Sequence, residues 1–457
     1  MGQTVYMPLW ALVLLVAFAA VTFASHFLFP SVRWFFRRRM EKAVARLNER
    51  LERPIEPFKL ARRYDMIQRL IYDPMVTQAV ADHAKAEGIP ENVAFEQAKR
   101  YAREIVPGFS ATAYFGIAIR LAKLLSQSFY RVRLGHFSED ALRNVDKDAT
   151  VIFVMNHRSN MDYVLVTWLA AERSALSYAV GEWARVWPLS KLIKAMGAYF
   201  IRRKSRNDLY RRVLERYVQM ATDGGVTQAI FPEGGLSLDG ALAPPKLGLL
   251  KYVVDGRERE GARDVVFIPV ALNYDRVLED RILVSAGQKG ERRFRARISV
   301  VAFWFLKQNW LRLTGRYHRQ GYASVSFGAP VALSEFRKTH PRGDVKDLGR
   351  VLMEKIGAEV PVLPTPLVAR ILLEADAPVP EDRLDDLMQA AMAEAPEAHV
   401  HLARGDIQYT AEVGLRMLRK RGLVEDTPDG VSIVAQERPL LEYYANSIAH
   451  LFRDRSA

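Results

Sequence analysis

Hydrophobic and polar positions along the chain change period four times. Residues 5–29 are almost continuously apolar and carry no Asp, Glu, Lys or Arg. A bilayer-spanning helix needs about 20 such residues, so the stretch predicts a transmembrane helix within residues 1–30. Tyr6, Trp10, Phe27 and Phe29 stand near its ends, where aromatic side chains meet headgroups. Residues 32–51 read as a basic helix that Pro54 and Pro57 terminate, and residues 60–103 as helices jointed at Pro74 and Pro90. Residues 109–133 form a large apolar surface, from Phe115 through Leu121 and Leu124 to Phe129, broken by Arg120, Lys123, Arg131 and Arg133. It suits either a helix in the membrane interface or one packed on the core. From residue 150 short runs of β-branched and aromatic residues alternate with helical segments. Strands are expected at 151–154, 176–180, 199–201, 227–231, 265–272, 298–303 and 323–327, with helices at 161–171, 189–196 and 208–221. That alternation predicts an α/β domain, a mixed sheet flanked by helices with sites at strand ends, over residues 150–335. A helical membrane-proximal region, 31–149, precedes it. Pro361, Pro364 and Pro366 mark a joint inside a mostly helical C-terminal region, 336–457. Near its end a helix and two short strands around Pro428-Asp429-Gly430 resemble a winged-helix unit, which is read here as a packing element.

Composition narrows the possibilities. The 457 residues, 49% hydrophobic and 26% charged, are enough for more than one domain and a sizeable core. There is no cysteine, which removes disulfides, thiolate metal sites and a cysteine nucleophile together. The net charge of +14 suits nucleic acid, anionic lipid or an acidic carrier, and charge alone does not choose among them. The basic residues Arg33, Arg37, Arg38, Arg39 and Lys42 follow the apolar run and none precedes it. By the positive-inside rule the bulk of the chain is expected on the cytoplasmic side of an inner membrane, held by a single span.

Candidate chemistry centres on Thr150–Val166, TVIFVMNHRSNMDYVLV. His157 and Asp162 follow a buried-strand pattern. On one continuous helix they would lie roughly 140° apart, so contact requires His157 on a turn and Asp162 in the first turn of the next helix. There the carboxylate can hold the ring in one tautomer while the other nitrogen acts as a base. Taken alone, the pair is better read as a helix-capping His and a first-turn Asp.

Three further stretches change the balance: Gly197–Arg203, GAYFIRR; Phe231–Gly240, FPEGGLSLDG; and Phe267–Ala271, FIPVA. In this order, with His157-x4-Asp162, they resemble the four sequence blocks of the glycerolipid acyltransferases. The likeness is strongest to the bacterial membrane glycerol-3-phosphate acyltransferases and their dihydroxyacetone-phosphate relatives. The resemblance implies transfer of a fatty acyl group from acyl-CoA or acyl carrier protein, as co-substrate, to a hydroxyl, with no resident cofactor or metal. His157 would be the general base and Asp162 its orienting partner. Arg203, with Arg202 close behind, would bind the acceptor's phosphate. Glu233 would bind the acceptor or shape its pocket, Gly234 and Gly235 would let backbone approach a ligand, and Pro269, read as marking an edge strand or bulge, would border the acyl-donor region. One departure concerns the acceptor. Where the branch carries two arginines after the glycine pair, this chain has Leu236 and Leu238, with Lys246 as a compensating cation. A lysophosphatidate or other lysolipid acceptor is the alternative.

Readings of other classes are weaker. A membrane-tethered nucleic-acid-binding protein has only the charge and the wing behind it. A serine hydrolase lacks the Gly-x-Ser-x-Gly elbow, and zinc catalysis lacks a His-Glu-x-x-His or Cys cluster. His399 and His401 are expected as an exposed pair.

Overall fold

The computed structural model describes residues 7–137, 143–171, 174–181, 189–202, 207–255, 257, 261–290 and 320–452, apart from the side chains of residues 23–37, 40 and 189. The chain divides into two compact units, Met1–Pro54 and Ile55–Ala457.

The first unit is one helix, Leu9–Asn48. Leu9, Trp10, Val13, Leu14, Leu15, Val16, Phe18 and Val21 are all exposed on it. Such consecutive positions cover every side of a helix rather than one face. No helix among the described residues is long and apolar enough to cross a membrane. Of the expected span, residues 5–6 and the side chains of 23–29 lie outside the described residues.

The second unit is built on a mixed sheet. In chain order its strands are β1 (Arg131–Phe137), β2 (Thr150–Met155), β3 (Ser177–Gly181), β4 (Tyr199–Ile201), β5 (Gln228–Ile230), β6 (Val265–Tyr274), β7 (Tyr322–Phe327) and β8 (Val331–Ala332). They lie in the order β1-β7-β6-β2-β5-β3-β4, with β8 also on β6. β2 pairs in parallel with β5 and β6, and β7 runs antiparallel to β6. Every residue of β2, β6 and β7 is buried, the signature of a sheet covered on both faces.

Most expected strands are present, and two, β1 and the short β8, were not foreseen. β1 pairs in parallel with β7, so residues 131–137 are sheet and not the end of an apolar helix. The preceding apolar surface is a π-helical turn, Thr112–Ala118, running into a helix, Ile119–Phe129. A boundary at residue 150 would therefore cut through the sheet. The expected strand at 298–303 lies outside the described residues.

Pro269 is not at an edge. It sits in β6, between β2 and β7, opposite Val154. Its carbonyl accepts from the Gly328 N–H at 2.9 Å. A strand residue's N and C=O face the same side, so the missing N–H faces the changeover where β8, opposite residues 266–267, gives way to β7, opposite 270–274. The proline costs no bond to β2.

Helices Arg63–Ile71, Pro74–Glu87 and Glu91–Ile105 form the region before β1. Pro74 occupies the first turn after Asp73, whose side chain accepts from the Met75 N–H. At the other end, helices Pro364–Glu374, Ile407–Lys420 and Arg438–Asn446 share the continuous core of the sheet. The predicted hairpin exists, Val424–Thr427 with Gly430–Ile433. Val431 exchanges backbone bonds of 2.8 and 3.0 Å with Val379, so the wing packs on its own chain.

Candidate active site

The centre of the site is the turn between β2 and the helix Met161–Leu169. Branched residues carry β2 to Met155, and Asn156 fastens its end. The Asn156 side chain donates to the Leu272 carbonyl at 3.0 Å and accepts the Leu272 N–H at 2.8 Å, extending the β2–β6 pairing by one side chain. The chain then leaves the sheet, and the helix starts at Met161 with Asp162 in its first turn. The expected turn-then-helix geometry places His157 Nδ1 2.9 Å from Asp162 Oδ2, with both residues buried.

Asp162 is held from four directions. Its Oδ2 also accepts the N–H groups of Arg158 at 2.7 Å and Ser159 at 3.0 Å, and its Oδ1 accepts the Tyr274 hydroxyl at 2.6 Å. With Asp162 fixed, Nδ1 of the ring is the protonated nitrogen and Nε2 is left as the base. The His157 ring stacks on Phe231 at 4.1 Å and meets Tyr163 edge-on at 5.4 Å. Burial, together with the charge of Asp162, holds the Tyr274 phenol well above its ordinary range.

Glu233 braces the same turn. One carboxylate oxygen accepts the His157 N–H at 3.0 Å and the other the Ala243 N–H at 3.2 Å. Burial raises its pKa, opposed by the nearby Arg158 guanidinium and by those two N–H groups. The Ser237 N–H returns to the His157 carbonyl at 3.0 Å. Gly234 has φ +66°, and a Cβ there would fall 2.7 Å from Cδ of Lys246, whose side chain lies across it. Gly235 adjoins it, half-buried. Leu236 and Leu238 pack against the core.

The structure does not bring Arg202 to this turn. Arg202 follows β4, at the sheet edge three strands from β2, roughly 14 Å at about 4.8 Å per strand. Its guanidinium pairs in bidentate fashion with Glu104 at 2.9 and 2.7 Å and lies 5.2 Å from the ring centres of Tyr101 and Tyr210. Arg203 lies outside the described residues.

Three residues at the site escaped sequence reasoning. Tyr274 ends β6, 112 positions from the Asp162 it touches. Glu279 accepts from the Ser159 hydroxyl at 2.8 Å and from Asn160 N and Nδ2 at 3.2 and 3.0 Å, fixing the rest of the turn. Arg158, adjacent to the base, is fully buried. One of its N–H groups donates to the Ser447 carbonyl at 3.2 Å, while Nε and Nη1 have no partner among the described residues. An arginine beside a candidate base was a visible signal for the last. Nothing in the sequence marked the other two.

A family model described as Acyltransferase matches residues 137–273, and one described as Glycerol-3-phosphate acyltransferase C-terminal region matches residues 303–457. Over these two segments the chain is similar to the acyltransferases. Curated relatives named glycerol-3-phosphate acyltransferase align over most of it. The one from Pseudomonas fluorescens is 26% identical over 91% of this chain, and that from Ectopseudomonas mendocina 27% over 86%. The chain spans about half the length of these relatives, 51% and 49% respectively. A solved 1-acyl-sn-glycerophosphate acyltransferase from Thermotoga maritima aligns with 63% of this chain and 94% of its own, at 18% identity and a TM-score of 0.33. The acyltransferase match ends at residue 273, one short of Tyr274, and the C-terminal match takes in Ser447, to which Arg158 reaches.

Proposed function

We propose that this chain transfers a fatty acyl group from a thioester, acyl-CoA or acyl carrier protein, to the hydroxyl of glycerol 3-phosphate in glycerolipid synthesis. The observation that carries the reading is the buried His157–Asp162 pair with every oxygen of the carboxylate engaged. Nε2 of His157 takes the proton from the acceptor hydroxyl as its oxygen attacks the thioester carbon. The tetrahedral oxyanion then collapses, the C–S bond breaks, and the imidazolium returns the proton to the leaving thiolate. Asp162 stabilises the imidazolium between the two transfers, and no covalent enzyme intermediate is required. The amides of His157, Arg158, Ser159 and Gly234 are committed to Glu233, Asp162 and the Phe231 carbonyl, which leaves Gly235 among the expected oxyanion donors. Glu233 acts here chiefly by holding the turn. Arg203, and Lys246 whose side chain lies across Gly234, are the cations favoured for the acceptor's phosphate.

Leu236 and Leu238, apolar where the branch carries arginines, favour a second reading in which the acceptor is lysophosphatidate or another lysolipid. The exposed apolar start of the first helix and the basic residues after it support anchoring to an anionic inner membrane with the catalytic unit on the cytoplasmic side. Acyl transfer from labelled palmitoyl-CoA and palmitoyl carrier protein is the test. Glycerol 3-phosphate, dihydroxyacetone phosphate and lysophosphatidate are offered in parallel, with His157→Ala as control. Product from glycerol 3-phosphate that the substitution abolishes supports the first reading, and product from lysophosphatidate alone the second. Absence of product with every pair overturns both.

A further inference from the structure

His399 was expected to be exposed beside His401. Instead it is half-buried and belongs to a cluster assembled from three distant segments. His136 comes from β1, Glu359 follows the helix Val345–Ala358, and His399 lies on the loop before Val400. Glu359 Oε2 lies 2.9 Å from His136 Nδ1 and 3.2 Å from His399 Nε2, and one ligand-capable atom from each residue falls within 4.8 Å of the others. We propose that His136, Glu359 and His399 form a binding site for a borderline divalent metal ion such as Zn2+.

The donor set is the first argument. Two imidazoles and one carboxylate suit Zn2+ and its neighbours, leaving a fourth position for water. The separations of the carboxylate oxygen from the two nitrogens are those of ligands sharing one tetrahedral ion, for which metal–ligand bonds of about 2.0–2.1 Å place ligand atoms roughly 3.3 Å apart.

The framework is the second. β1 holds His136 in register with β7. His399 is fixed by its own backbone, because its carbonyl accepts the Val362 N–H at 2.9 Å and the His401 N–H returns to the Val362 carbonyl at 2.9 Å. Glu359 lies where a side chain at position 328 would otherwise be: a Cβ on Gly328 would fall 2.9 Å from its Cγ and 3.0 Å from its Oε1. The two rings stack, 4.6 Å between centres and 12° between planes. Ligation requires each to turn about its Cβ–Cγ bond, a broad torsion, and both rings are partly exposed and have room.

The site is not the catalytic one. β1 is three strands from β2, on the order of 14 Å at about 4.8 Å per strand. An ion there would tie the C-terminal region to the sheet edge, contributing folding free energy rather than chemistry.

The test is metal binding by tag-free full-length protein, stripped with chelator and titrated with Zn2+ by calorimetry and with Co2+ by visible absorption. The expected result is one equivalent per chain, a tetrahedral Co2+ spectrum, and a rise in Tm on adding Zn2+. His136→Ala, His399→Ala and Glu359→Ala should each weaken binding at least about tenfold, and His83→Ala, which removes a histidine elsewhere on the surface, should leave it unchanged. No stoichiometric binding, or binding that survives the three substitutions, overturns the proposal; the cluster is then a carboxylate shared by two imidazoles. Acyl transfer measured on the same samples reports on the proposed reaction separately, since neither histidine touches the His157 turn.

Discussion

Replacing Asp162 by Asn separates two roles of the carboxylate that are usually lost together. Oδ2 accepts three N–H groups, from the His157 ring and the backbones of Arg158 and Ser159, while Oδ1 accepts only the Tyr274 hydroxyl. An amide can satisfy this set in one orientation alone. Its oxygen must take the Oδ2 place, because an NH2 group there would face three donors. Its NH2 then points at the Tyr274 oxygen, which can accept once its hydroxyl turns. The two backbone N–H groups therefore hold the amide the right way round, and the ring keeps its tautomer. What is lost is the negative charge beside the imidazolium. A hydrogen bond to a charged partner contributes about 1.5–3 kcal/mol, so the loss amounts to roughly ten- to hundredfold in kcat/KM. Where the amide is free to flip, the wrong tautomer results and the fall approaches 10⁴. The assay is steady-state acyl transfer with the wild type and Asp162→Asn, alongside thermal unfolding of both. A loss near 10⁴ with unchanged Tm refutes the anchoring argument, and no loss refutes the role of the charge. Asp162→Ala leaves four donors without an acceptor in a buried site, and its expected outcome is a poorly folded protein.

Three other outcomes follow from the same contacts. Tyr274→Phe removes the hydroxyl that donates to Asp162 Oδ1, at a cost of about 1–3 kcal/mol; it should lower kcat about tenfold with a small change in Tm, and an unchanged kcat would show that Tyr274 is idle. Gly234→Ala places a side chain at φ +66° and against Lys246, so the KM for the phosphorylated acceptor should rise more than that for the acyl donor, which comparison of the two KM values checks. Asp275 is fully buried, accepting the N–H groups of Tyr322 and Thr365, and burial pushes its pKa up to about 6. A carboxyl whose folded pKa is raised gains stability as pH falls from about 6 toward its ordinary value near 4 and loses it as pH rises again. Relative to Asp275→Asn, the wild type should therefore gain on the order of 3 kcal/mol between pH 7 and pH 4, measured by denaturant unfolding at each pH.

What the sequence made legible is what local pattern encodes. β2, β6 and β7 are runs of branched residues bounded by turn signals, and the His157–Asp162 spacing forced a turn followed by a helix, which is how the chain runs. β1 was missed because an edge strand, RVRLGHF, interleaves its apolar residues with arginines. Charge on an edge strand discourages stray pairing, and here the arginines of a period-two pattern were mistaken for breaks in an apolar helical surface. Pro269 misled for the opposite reason. Proline in a strand argues for an edge, and here an interior strand changes partners at that residue, so the rule holds for the individual N–H and not for the strand.

The remaining gap lies in the supports of the site, and its cause is sequence distance. Tyr274, Glu279 and Ser447 reach the catalytic turn from 112, 119 or more, and 289 residues away, through ordinary hydrogen bonds with no local signature. The same elements show why the C-terminal region belongs to the site. Glu279 grips the catalytic turn, and the adjacent Asp280 is buried against Arg421 and Tyr444, while Tyr444 also accepts the Val277 N–H at 3.1 Å. A buried charge set of this kind is costly when one member is removed, so the arrangement around Asp280 is fixed as a unit. The segment that carries Glu279 is thus clamped between the catalytic turn and the helix Arg438–Asn446. A chain ending near residue 335 would retain His157 and Asp162 but lose the clamp, leaving Asp280 without Arg421 and Tyr444 and Arg158 without the Ser447 carbonyl.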